Sequence, residues 1–143
     1  FTFSLVATLV GCKKEAETML IPGNNWYKYH EELGKVYTSE LLGLGLLDKA
    51  DVQNEDPAWP AYKKYMMHGT SHHMGLDTHD YGLLTDDFVA GMVFTNEPGF
   101  YIPAESFGIR LEDDYKKKKE GNPFNLMRNI PLEAEEIEDL MNK

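Results

Sequence analysis

Apolar residues return at Leu5, Leu9, Ala16, Met19 and Leu20, close to one face of a 3.6-residue period, while Lys13, Lys14, Glu15 and Glu17 supply a polar surface. The pattern predicts a helix that Pro22-Gly23 ends. Asn24 or Asn25 is placed to cap a second helix through Trp26, Tyr29, Leu33, Val36, Tyr37, Leu41 and Leu42. The glycine-punctuated run Leu41 to Leu47 closes it, and Asp48 to Pro60, acidic and proline-bearing, reads as a surface loop. From Tyr65 the pattern changes to short segments with turn chemistry between them, so the strand candidates are Met66 to Leu76, Gly91 to Ile102, Phe107 to Asp113 and Phe124 to Met127. Glu120-Gly121-Asn122 suits a turn that pairs Phe107 to Asp113 with Phe124 to Met127 as a hairpin. Pro131 opens a last helix with Glu133, Glu135 and Glu136 near its first turn, where the helix dipole favours negative charge. Its apolar side is Leu132, Ile137, Leu140 and Met141. Two helices, a set of short antiparallel strands and a closing helix make an α+β chain.

The 143 residues suit one domain, long enough to hide roughly 68–70% of the unfolded surface and so to build a core without metal or disulfide staples. A net charge of −10 excludes a nucleic-acid binder, which needs clustered lysine and arginine to neutralise phosphates. The basic run Lys116 to Lys119 lies between Asp113, Asp114 and Glu120 and reads as a solvated hairpin edge. Cys12 is alone, which rules out an intrachain disulfide and makes a reducing, cytoplasmic compartment the default. Phe1 to Gly11 falls far short of the ~20 residues that span a bilayer, so no membrane partner is expected. Leu9-Val10-Gly11-Cys12 also reads as the lipidation box of a bacterial lipoprotein, which leaves a lipid-anchored periplasmic alternative open.

Candidate chemistry gathers in one segment. Four of the five histidines, His68, His72, His73 and His79, fall within twelve residues. Imidazole is both a common metal ligand and the natural proton carrier near neutral pH, so the cluster is either a site or a set of hydrogen-bonded structural histidines. The spacing fits neither a zinc finger nor the helical metalloprotease motif, since it lacks both paired cysteines and the intervening glutamate. Downstream, Glu97 ends the apolar run Met92-Val93-Phe94-Thr95, and Glu112 follows Phe107-Gly108-Ile109-Arg110-Leu111. A carboxylate at the end of a buried strand needs a cation to offset its desolvation, whether a metal ion or a salt-bridge partner such as Arg110. Oxygen-rich sets with one histidine suit manganese, or less selectively cobalt, zinc or iron(II), and two such metals can share a bridging hydroxide.

Three blocks in order, His68-Gly69-Thr70-Ser71-His72-His73-Met74-Gly75-Leu76-Asp77-Thr78-His79-Asp80, Gly91-Met92-Val93-Phe94-Thr95-Asn96-Glu97-Pro98-Gly99-Phe100-Tyr101-Ile102 and Gly108-Ile109-Arg110-Leu111-Glu112-Asp113-Asp114, resemble the catalytic half of the Xaa-Pro aminopeptidases (aminopeptidase P). Prolidases share much of the pattern. The resemblance runs from about Glu15 to the closing helix and implies the pita-bread fold, here its C-terminal part, with a curved antiparallel sheet that holds two metals, usually manganese. By resemblance, His72 is a terminal metal ligand, Glu97 binds one metal and exchanges the proton of the attacking hydroxide, and Glu112 bridges both metals. His79 would hydrogen-bond the scissile carbonyl, and His68 would line the pocket for the substrate proline. Arg110 and Tyr101 would orient these groups and relay protons, with Arg110 also facing substrate. His73 receives no role.

What the resemblance implies is a metal-dependent release of the N-terminal residue preceding proline from a peptide, in a homo-oligomeric enzyme. Prolidase activity on a dipeptide, and a ligand-poor pita-bread module that only binds peptide or protein, remain as alternatives. The family's two aspartate ligands and a further histidine have no counterparts, since Asp48, Asp51 and Asp56 do not match them. Residues 1–143 are therefore expected to be the C-terminal portion of one catalytic domain, inactive alone. A second departure is Tyr115-Lys116-Lys117-Lys118-Lys119, where the family continues an alternating strand.

Overall fold

In the computed structural model, which describes residues 2–143, the two opening helices form where the period places them: α1 (Thr2–Met19) and α2 (Trp26–Gly43) pack on each other. Asn25, extended at φ −143°, caps α2 by accepting a hydrogen bond from the Lys28 backbone N–H at 3.1 Å. Their buried faces carry Leu5, Leu9, Cys12 and Ala16 from α1, and Trp26, Tyr29, Leu33, Tyr37 and Leu41 from α2. Phe88, Phe94, Phe100, Ile102 and Tyr115 complete the core from the strands and the loop before them. Cys12 is a core residue, and burial pushes its thiol up to about 12. No helix among the described residues is long and apolar enough to cross a membrane.

The strands come in two antiparallel sets. β1 (Val93–Asn96) pairs with β4 (Asp113–Lys116), which also pairs with β5 (Phe124–Asn125), whereas β2 (Gly99–Ile102) pairs with β3 (Phe107–Arg110). The predicted strand Gly91 to Ile102 is thus two strands, divided at Glu97-Pro98, because proline has no N–H for a continuing ladder. Phe107 to Asp113 likewise divides. Its first part folds back on β2 through a tight turn at Pro103–Glu105 and Ser106 at φ 52°, so β5 pairs with β4 instead of forming the expected hairpin with Phe107 to Asp113.

Three further expectations change. Met66 to Leu76 is not a regular strand, although it runs beside β1: Glu97 N–H donates to Thr70 O at 2.7 Å and Thr95 N–H to His72 O at 3.1 Å. Tyrosines of α2 impose its irregular path, with Tyr37 Oη 2.6 Å from Thr70 Oγ1 and Tyr29 Oη 2.5 Å from Ser71 Oγ. The predicted loop after α2 contains a short helix, α3 (Lys49–Gln53), stabilised by a reciprocal cap between Asp48 and Asp51. The last helix, α4 (Ala134–Met141), starts three residues after Pro131, which therefore does not open it, and leaves Ile137, Leu140 and Met141 exposed.

Two lysines also depart from the sequence reading. Lys13 is not on a polar surface: it is 3% exposed and bonds Asp113 of β4, while its carbonyl accepts from Asn96 Nδ2 at 2.9 Å. Together these contacts fasten α1 to the sheet behind Glu97. Lys117 is not a solvated edge residue either. It continues the inward alternation of Asp113 and Tyr115, is 2% exposed, and packs its ammonium 5.1 Å from the Phe88 ring centre with no hydrogen-bond partner among the described residues. Burial lowers its pKa to about 8. Lys116, Lys118 and Lys119 are exposed, as that reading expected.

Candidate active site

Alternation along β1 sends Phe94 and Asn96 toward the helices and Thr95, followed by Glu97, toward the opposite face. There Thr95 organises its neighbours: its hydroxyl accepts from the His72 N–H at 3.0 Å and donates to Glu97 Oε1 at 3.2 Å. His72 arrives from the irregular segment alongside. Its Nδ1 lies 2.8 Å from the carbonyl oxygen of His73 and therefore carries the proton, which directs the Nε2 lone pair at Glu97 Oε1, 3.1 Å away.

An imidazole lone pair facing a carboxylate oxygen at this distance repels it unless a proton or a metal cation is shared between them. The donor chemistry of the pair therefore fits a divalent metal with mixed nitrogen and oxygen preference. The other oxygen of Glu97 faces Arg110, at 3.5 Å, and Arg110 reaches Glu112 at 3.4 Å. Arg110 is thus the cation that offsets desolvation of Glu97, which is 8% exposed. Among the described residues no group of three or more histidine, cysteine, aspartate or glutamate side chains comes together as a metal cage, so Glu112 joins the pair only through Arg110.

His79 also reaches this place. Its exposed ring stacks on His72, with centres 4.0 Å apart and planes inclined by 19°. His68 and Tyr101 form a separate contact, with His68 Nε2 2.9 Å from Tyr101 Oη and His68 Nδ1 2.8 Å from Gly69 O. No hydrogen bond links them to Glu97 among the described residues. Tyr101 lies on β2 opposite Gly108 of β3, and a Cβ at Gly108 would come within 2.6 Å of its ring, so that position requires glycine. The sequence reading missed Asp114, which pairs in register with Thr95 on the site face. Burial, then the charges of Asp113 and Glu97, hold its carboxyl above the usual range, with His72 acting in the opposite direction. The period-two step from Asp114 back to Glu112 was the available signal.

Residues 4–116 match metallopeptidase family M24. The chain is 36% identical to the Xaa-Pro aminopeptidase of Haemophilus influenzae over 91% of its own length and 32% of that protein, and 39% identical to that of Escherichia coli over 84% and 29%. It spans about a third of the length of these relatives. Among solved structures, a putative aminopeptidase P from Bacillus anthracis superposes with a TM-score of 0.81 at 37% identity, over 97% of this chain and 31% of that one. The zinc-substituted Escherichia coli aminopeptidase P in complex with product gives 0.80 at 30% identity, over 96% and 33%. The fold is accordingly part of the pita-bread arrangement. With residues 4–116 of its 143 matched, the chain belongs to metallopeptidase family M24.

Proposed function

We propose that this chain forms the C-terminal part of the catalytic domain of an Xaa-Pro aminopeptidase, which hydrolyses the bond between an N-terminal residue and a following proline. The observation that carries the reading is the His72–Glu97 apposition at 3.1 Å, backed by Arg110 between Glu97 and Glu112. The names of the relatives supply the substrate class. Bound metal, two manganese ions in this reading with cobalt, zinc or iron(II) as substitutes, would supply an activated water and polarise the scissile carbonyl.

His72, Glu97 and Glu112 would hold that metal. One imidazole and two carboxylates are too few donors to complete two coordination shells, so further ligands are required beyond these three. Glu97 takes the proton of the attacking water and returns it to the leaving imide nitrogen of proline. Arg110 fixes the carboxylate for that transfer and keeps Glu112 beside it. His79, exposed above His72, donates a hydrogen bond to the carbonyl oxygen as charge develops there. His68, steadied by Tyr101, walls the proline ring, which offers no N–H and is recognised by shape.

Metal binding by the chain tests this reading, with equilibrium dialysis and elemental analysis using Mn²⁺ and then Zn²⁺. Weak binding near one ion per chain is expected, lost in His72→Ala and reduced in Glu97→Gln, without hydrolysis of an Xaa-Pro peptide. Binding indifferent to both substitutions overturns the ligand assignment. Two tight ions with turnover refute the need for further ligands.

A further inference from the structure

His73 has no part in the chemistry above, yet its ring is gripped from three sides. Trp26, 2% exposed at the start of α2, donates its indole N–H to His73 Nε2 at 3.1 Å. The imidazole stands edge-on to the Trp26 ring, 5.3 Å between centres, and to Phe94, 5.0 Å. Gly82 closes the third side, where a Cβ would come within 2.1 Å of the imidazole. The backbone of His73 is bridged to Phe94 as well.

We propose that His73 is a positioning residue, clamped by the Trp26 indole so that its carbonyl oxygen holds His72 with Nε2 toward Glu97. That carbonyl accepts two hydrogen bonds, from His72 Nδ1 at 2.8 Å and from the Asp80 N–H at 3.0 Å. The first selects the His72 tautomer. The second closes the loop that carries His79 back onto His72, so one fixed carbonyl orients both imidazoles. Indole N–H only donates, so it requires an unprotonated Nε2 on His73 and leaves that ring a single neutral orientation. A merely apolar contact at Trp26 would not impose this choice. The inference rests on His72 being a metal ligand, but the clamp belongs to the metal-free chain and is measurable there.

The test is long-range ¹H–¹⁵N correlation NMR of the metal-free chain, at a pH where its imidazoles are neutral, which reads the tautomer of each histidine. In the unmodified chain, His73 is expected with the proton on Nδ1, and His72 as a balance in which the His73 carbonyl favours Nδ1–H while the Glu97 carboxylate attracts a proton to Nε2. Trp26→Phe keeps an aromatic ring and deletes the donor; it should raise the Nε2–H form of His72, by up to about fivefold where the freed carbonyl gives up its hydrogen bond to His72 Nδ1. His73→Phe, which keeps a ring against Phe94 without the acceptor, should do the same. His73→Gln, whose amide oxygen can take the indole proton, should restore the original His72 tautomer. An unchanged His72 tautomer and unchanged His72–His79 contact in His73→Phe overturn the proposal, and that variant decides alone if Trp26→Phe does not fold. Failure of the peptidase reading would appear instead in the metal-binding experiment and would leave the tautomer result standing.

Discussion

Replacing Lys117 with methionine should stabilise this protein at neutral pH. The side chain is 2% exposed, its ammonium has no hydrogen-bond partner among the described residues, and its nearest compensation is the Phe88 ring at 5.1 Å. A lysine that ordinarily holds its proton to 10.5 and here releases it at about 8 destabilises the charged folded state by about 3 kcal/mol. Methionine fills a similar length and exchanges the cation–π contact for a sulfur–aromatic one, so a net gain of about 2–3 kcal/mol is expected.

The pH dependence distinguishes this cause from better packing. Because the folded pKa lies below the unfolded one, the unfolded chain binds more protons between pH 8 and 10.5, and stability conferred through this group rises across that window. The advantage of the methionine variant should therefore be full below pH 8 and shrink toward the packing difference by pH 10.5. Buried Tyr29, Tyr37 and Tyr115 hold their protons more strongly than free tyrosine and weaken the fold in alkali, but they act equally on both chains and cancel in the difference. Urea unfolding of both chains across this range is the assay. A variant no more stable at pH 7, or an advantage constant from neutral to alkaline pH, refutes the reasoning.

Other expected outcomes follow from the same structure. Lys13→Met should lower stability by about 3–5 kcal/mol, because it strands the Asp113 carboxylate in a buried position with Asn125 and Tyr115 as remaining partners; a loss below about 1 kcal/mol in urea melts would mean that the pair is hydrated. In an enzyme with a complete metal site, His79→Ala should lower turnover far more than metal content, since its ring touches His72 without joining Glu97. Parallel loss of metal and rate, measured by elemental analysis beside a peptide assay, would make His79 a ligand.

The candidate site was legible in part because its residues lie in contiguous blocks: the structure brings His72 against Glu97 and links Glu112 to them through Arg110. The two opening helices were equally plain, since a 3.6-residue period repeated through Leu5, Leu9, Ala16 and again through Tyr29, Leu33, Tyr37 is local information. Strand pairing was not. Pro98 redirects the chain so that neighbouring segments join different partners, and nothing within either segment names the strand it will meet.

The sequence alone thus determined the fold class, the boundaries of the two opening helices within a few residues and the blocks from which the candidate site is drawn. Only the tertiary structure decided that Lys13 meets Asp113 one hundred residues away, that Lys117 is buried on Phe88, and that Trp26 grips His73 across forty-seven residues. The physical reason is range. Periodicity and turn chemistry act over one or two turns of chain, whereas burial of a charge and the choice of a hydrogen-bond partner depend on which distant surfaces close over them.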